Sequence, residues 1–185
     1  MEQIGIFFGT DTGRTRLIAK QIARRLAARA AAPVNVGRTS VDDFLAYDAF
    51  ILGTPTLAEG LLPGRSSGLS SDSWEEFLPK LEAANLSGKA VALYGLGEQE
   101  KYPANFCDGM GILYDFLQAG GADMVGFWPT EGYAFTASRA VRSNRFVGLA
   151  LDQVSQAALT ETRLDAWLAA VLPALEAALA RSRQA

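Results

Sequence analysis

The chain contains no histidine and a single cysteine, Cys107. Without histidine, the usual zinc, haem and serine-triad chemistries lose their ligand or base. One cysteine can neither close an internal disulfide nor hold an iron–sulfur cluster. Redox work on this chain would therefore need an organic cofactor. No apolar run approaches the roughly 18 to 20 residues that span a bilayer, and the N-terminus lacks the basic start and small-residue cleavage site of a signal peptide. The expectation is a cytoplasmic protein that does not enter a membrane. A Walker phosphate loop would need a second glycine at position 14 followed by Lys and Ser or Thr, and it is missing, as is any GxGxxG. ATP and dinucleotides lose their usual signature.

What remains is a 185-residue chain with 49% hydrophobic residues, enough for one continuous core, so residues 1–185 are expected to form one domain. Its net charge of −3 conceals an asymmetry: residues 40–108 hold eleven acids and four bases, a balance of −7, and the remainder balances at +4. Arg24, Arg25, Arg29, Arg181 and Arg183 have no interleaved aromatics. They read as solvated helix faces, with no nucleic acid implied.

Strand and helix patterns alternate, which predicts a parallel sheet with helices on both faces. Apolar runs place strands at 4–8, 34–36, 49–53, 90–94 and 124–128, and helical spacing places helices at 14–29, 74–84 and 106–119. Turn residues and arginines at 129–146 read as an excursion from the sheet edge, after which 147–151 resumes a strand. From Thr160 a last helix keeps Leu164, Trp167, Leu168, Val171, Leu172, Leu175 and Leu179 on one face, with a kink expected at Pro173. Residues 63–71, PGRSSGLSS, form the one low-complexity loop.

Three strand ends carry chemistry. Gly9-Thr10-Asp11-Thr12-Gly13-Arg14-Thr15 is a strand-to-helix turn that aims free backbone N–H groups and a helix dipole at one spot, suited to a phosphate. Threonines here could also be plain helix caps. The third strand ends in Gly53-Thr54-Pro55-Thr56-Leu57-Ala58-Glu59-Gly60 and the fourth in Gly95-Leu96-Gly97-Glu98-Gln99-Glu100-Lys101-Tyr102. In a doubly wound sheet ordered 2-1-3-4-5 all three loops converge at the topological switch point. Leu57 and Tyr102 could then cover the two faces of a planar ring, with glycine-rich backbone close to its polar edge.

At this point the residues resemble the flavodoxins over nearly the whole chain. Thr10 to Thr15 is similar to that family's loop for the FMN phosphate; Thr54-Pro55-Thr56 and Gly97-Glu98 through Tyr102 are similar to its two isoalloxazine loops. Gly132-Tyr133-Ala134-Phe135 and the run 146–152 look like the long-chain subgroup, in which an insertion splits the fifth strand of a flavodoxin-like sandwich. Residues 56–60, Leu62-Pro63-Gly64 and 73–80 look most like the flavodoxins of nitrogen fixation.

The resemblance implies that Thr10, Asp11, Thr12, Gly13, Arg14 and Thr15 surround the FMN phosphate, and that Pro55, Thr56, Asn105, Phe106 and Cys107 lie along the ribityl chain and ring edge. It implies Leu57 and Tyr102 on the flavin faces, with Ala58, Glu59, Gly60, Leu96, Gly97 and Glu98 along its polar atoms. Two departures stand out: Leu57 replaces a common Trp, and Val154 replaces a common carboxylate. The peptide after Ala58 is implied to turn on reduction, which would drive Ala58 to φ > 0 in a type II′ turn.

The implied function is a low-potential one-electron carrier on the semiquinone/hydroquinone couple, with no catalytic residue and no metal. Glu59, Glu98, Glu100 and Asp108 would disfavour the reduced anion. Nitrogenase iron protein is the implied acceptor, and a pyruvate oxidoreductase or NADPH-dependent ferredoxin/flavodoxin reductase the donor; the carrier is expected to be monomeric. The enzyme alternative is a flavodoxin-like NAD(P)H:quinone reductase. A response-regulator receiver would need a phosphoacceptor Asp after the third strand, where Gly53-Thr54-Pro55-Thr56 stands instead.

Overall fold

The computed structural model describes residues 2–184. Five apolar segments become parallel strands: β1 (Gly5–Phe8), β2 (Val34–Asn35), β3 (Ala49–Pro55), β4 (Ala90–Leu96) and β5 (Asp123–Val125), in the order β2-β1-β3-β4-β5. The expected order holds. Phe8 pairs with Gly53 and Gly53 with Tyr94, so the loops leaving β1, β3 and β4 emerge along one edge.

Alternation along each strand sends side chains to opposite faces. Phe7, Phe50, Leu52, Val91 and Leu93 pack on one face beneath α2 (Val41–Leu45), α3 (Trp74–Phe77) and α4 (Asp108–Ala119). On the other, Ile6, Phe8, Ile51, Ala92 and Tyr94 meet α1 (Arg14–Leu26) and α5 (Thr160–Ser182). Helix α5 runs through Pro173 as one continuous element. Its buried face is the one expected, except that Leu172 is only partly buried and Ala178 joins the core.

Several elements depart from the sequence reading: the helix expected over 14–29 is α-helical only to Leu26 and tightens into a 3₁₀ turn over Ala27–Arg29, and α2 has no counterpart in the sequence pattern. The helix expected over 74–84 is α-helical only to Phe77 and tightens into a 3₁₀ turn over Leu78–Leu81, where Pro79 has no N–H for the α ladder. The strand expected at 124–128 breaks at Gly126, whose φ is +85° and whose Cα faces Val171 and Trp167 too closely for a Cβ. Beyond it, β6 (Trp128–Pro129) leaves the sheet to pair with β8 (Arg145–Phe146), which also pairs with β7 (Val141–Arg142). The fifth position resumes with β9 (Leu149–Leu151): β5 pairs with the first half of β4 and β9 with the second. The insertion therefore splits the fifth strand, as expected. Rings of Phe106, Tyr133, Phe135 and Phe146 lock it to the core. Among the described residues no helix is long and apolar enough to cross a membrane.

Candidate functional site

The first loop is built on two glycines. Gly9 donates its N–H to the Gly53 carbonyl at 3.0 Å, and a Cβ on it would lie within 3 Å of Trp74, Ser73 and Pro63. Gly13 takes φ +89°, which favours glycine, and donates to the Thr10 hydroxyl at 3.0 Å. Helix α1 then begins with no side-chain cap and no acid in its first turn; its first internal bond runs from Leu17 N–H to Gly13 O. The N–H groups of Arg14, Thr15 and Arg16 are left without an internal partner beside the positive end of the helix dipole. Simple capping by threonine does not describe this turn, which suits an anion.

Residues from three loops wall one cleft of about 270 Å³. Asp11, Thr12, Arg14 and Thr15 come from the first, Pro55, Thr56, Leu57 and Ala58 from the second, and Leu96, Gly97, Glu98 and Tyr102 from the third. Thr10, Gly13, Glu59, Gly60, Asn105, Phe106 and Cys107 do not line it. Phe106 and Cys107 are fully buried beneath Gly97, where a Cβ would come within 3 Å of the Phe106 ring and the Cys107 nitrogen. The Cys107 thiol faces the Gly95 carbonyl, and burial pushes its pKa up, away from thiolate chemistry. Asn105 donates to Asp108 at 3.0 Å, and that pair lies directly under Gly60.

Two wall residues escaped the sequence reading, Lys101 and Gln153. Lys101 stood in plain view beside Tyr102; its ammonium lies 5.0 Å from that ring's centroid. Gln153 carried no local signal. It reaches the cleft because β9 pairs with the end of β4 and Gly97 N–H bonds Leu151 O at 3.1 Å. The formal charges on the wall, Asp11 and Glu98 against Arg14 and Lys101, balance. Arg14 and Glu98 approach to 3.8 Å. Of the other acids invoked above, Glu59 and Glu100 are exposed outside the wall and Asp108 is buried below Gly60.

Leu57 and Leu61 exchange both backbone hydrogen bonds, closing a tight loop over Ala58, Glu59 and Gly60. Ala58 already sits at φ +45°. The left-handed strain, roughly 1 to 2 kcal/mol for a residue with a Cβ, belongs to this conformation of the loop itself and cancels between oxidation states where both keep it. Ala58→Gly is therefore expected to shift the first one-electron potential by less than about 20 mV, the equivalent of roughly 0.5 kcal/mol. Potentiometric titration checks this; a rise of about 40 mV or more would place the strain in the reduced state alone.

The third loop hangs on a buried carboxylate. Asp152 accepts hydrogen bonds from the Ser155 hydroxyl at 2.6 Å and from the N–H groups of Ser155, Val154 and Gln99 at 2.8, 2.9 and 3.1 Å. Burial alone would raise its pKa, but these donors together hold it below the usual carboxylate value. Its stabilising contribution is complete above the unfolded-state pKa of about 3.9 and is lost as pH falls through the lower folded value. Urea midpoints are expected to fall from pH 6 to pH 3, less steeply in Asp152→Asn; the same slope in both proteins would exclude Asp152 as a source.

The sequence profile of the flavodoxin family matches residues 6–167. A flavodoxin of Klebsiella pneumoniae is 57% identical, the match covering 91% of this chain and 96% of that one. One from Enterobacter agglomerans is 52% identical, with 95% and 99% covered. Among solved structures, a Fusobacterium nucleatum flavodoxin bound to flavin mononucleotide superposes with a TM-score of 0.85 at 32% identity, covering 95% of this chain and 99% of that one.

Proposed function

This chain belongs to the flavodoxin family, and on that premise we propose that it binds FMN and serves as a low-potential one-electron carrier, not an enzyme. The observation that carries the reading is the cleft itself. Its wall combines the uncapped start of α1 with the side chains of Leu57 and Tyr102. An anionic tail suits the first and a flat apolar ring the second. Bound FMN supplies the one-electron chemistry. The protein's part is to hold the phosphate on the N–H groups of Thr12, Arg14, Thr15 and Arg16, to cover the ring, and to set the charge around it.

That charge is balanced at the wall, so low potential must rest on desolvation of the reduced ring and on its own phosphate more than on neighbouring acids. Lys101 opposes it, because a cation at the wall favours added negative charge. Lys101→Gln is expected to lower the potential of the second electron. Equal second potentials in the two proteins would show that solvent screens the ammonium completely.

Exposed Glu59 and Glu100 near the cleft suit a basic docking surface on a partner. The motifs around 56–64 and 73–80 support nitrogenase iron protein as acceptor. By the same reading a pyruvate oxidoreductase or an NADPH-dependent reductase is the donor, and the carrier works as a cytoplasmic monomer. Mass spectrometry of the released cofactor should give FMN, and anaerobic photoreduction should give a long-lived flavin radical by electron paramagnetic resonance. FAD, or direct bleaching by NADPH alone, would overturn the reading; the second result would favour the quinone reductase.

A further inference from the structure

Helix α1 carries five bases and no acid over 13 residues. Two of the five are engaged: Arg25 pairs with Glu161 and Asp165 of α5, and Arg14 faces Glu98. Arg16, Lys20 and Arg24 are exposed, and none has an ion-pair or hydrogen-bond partner among the described residues. They stand at i, i+4 and i+8, a single stripe about 12 Å long. Like charges at that spacing destabilise a helix, and no acid among the described residues pairs with them. Leu17, 56% exposed, lies on the same side, three residues before Lys20. At the far end, Lys20 and Arg24 rim an apolar depression of about 540 Å³ floored by the alanines at 23, 27 and 30–32 and by Pro33.

We infer that this face docks an acidic amphipathic segment of another protein, its carboxylates on Arg16, Lys20 and Arg24 and an apolar side chain in the alanine depression. Charge complementarity selects that occupant. A nucleic acid would find no aromatic in this patch on which to stack a base. The depression runs from Lys20 past the end of α1, roughly 10 to 20 Å along the helix from Gly13, and none of Arg16, Lys20 and Arg24 stands on the cleft wall, so its occupant would leave the cleft free for an electron-transfer partner. The inference does not depend on which partner uses the cleft.

The test uses the FMN-loaded full chain, labelled with nitrogen-15, and a synthetic helical peptide with Glu at i, i+4 and i+8 and Leu on the adjoining face. Amide shifts confined to residues 16–33, weakened by salt, are expected. Lys20→Gln with Arg24→Gln should lower the affinity by about tenfold or more, and replacing the peptide's Leu by Ser should lower it again. Shifts centred on the cleft, equal affinity for the double variant, or equal binding of a peptide with scrambled Glu would overturn the inference. So would self-association in analytical ultracentrifugation that disappears in the double variant, which would make the occupant a second copy of this chain.

Discussion

Trp74→Ala is expected to lower the stability of the protein by about 3 to 5 kcal/mol, the usual cost of emptying a buried aromatic site. Trp74 is fully buried, packs edge-on against Phe77, and donates its indole N–H to the Gly53 carbonyl at 2.8 Å. Its ring also lies so close to Gly9 that a Cβ there would stand 2.5 Å away. One side chain thus braces the glycine that opens the phosphate loop and the strand that leads to the second loop. Weaker FMN binding should accompany the lost stability. Trp74→Phe keeps most of the apolar surface and removes one hydrogen bond, a loss of about 1 kcal/mol; the Gly53 carbonyl retains the Gly9 N–H. Urea unfolding distinguishes the two variants by their midpoints at unchanged slope. A wild-type midpoint for the alanine variant would show that the site collapses without cost.

Tyr102→Ala should do the reverse, leaving stability nearly unchanged while weakening FMN binding by about 1 to 3 kcal/mol, or roughly 5- to 150-fold. The ring is 36% exposed and lines the cleft, so it contributes little to the core. Its loop is held by backbone: Tyr102 N–H donates to Glu98 O at 2.8 Å, and Asn105 N–H to Tyr102 O at 3.2 Å. Tyr102→Phe should bind almost as tightly as wild type, since stacking needs the ring and not the hydroxyl. Fluorescence titration of the cofactor-free proteins measures all three. Unchanged affinity for the alanine variant would mean that Tyr102 is a surface residue and that the cleft holds the ring elsewhere.

Strand and loop identities were legible because they are local. Ile6 and Phe8 alternate with Phe7, and Phe50 and Leu52 with Ile51, which marks half of each run for one sheet face and half for the other. Glycine and threonine at three strand ends announced where backbone must approach a ligand, and parallel strands bring those ends to one edge whatever the side chains between them.

Tertiary structure alone decided the rest. Phe106 and Cys107 follow the third loop directly, yet packing against Gly97 and the inserted segment turns both into the core. Gln153 enters the cleft through the register of β9 on β4, a pairing between residues some 55 positions apart in the chain, as Leu151 with Leu96 shows. Ala58 is left-handed because Leu57 and Leu61 close a loop too tight for extended backbone, whereas the resemblance implies that conformation only on reduction. Charge followed the same division: composition counts the acids of 40–108, but only the folded chain sends Glu59 and Glu100 outward, buries Asp108 and places Lys101 at the wall. Side-chain periodicity is a property of neighbours in sequence, whereas the electrostatics of a site depend on distances that only the packed chain defines.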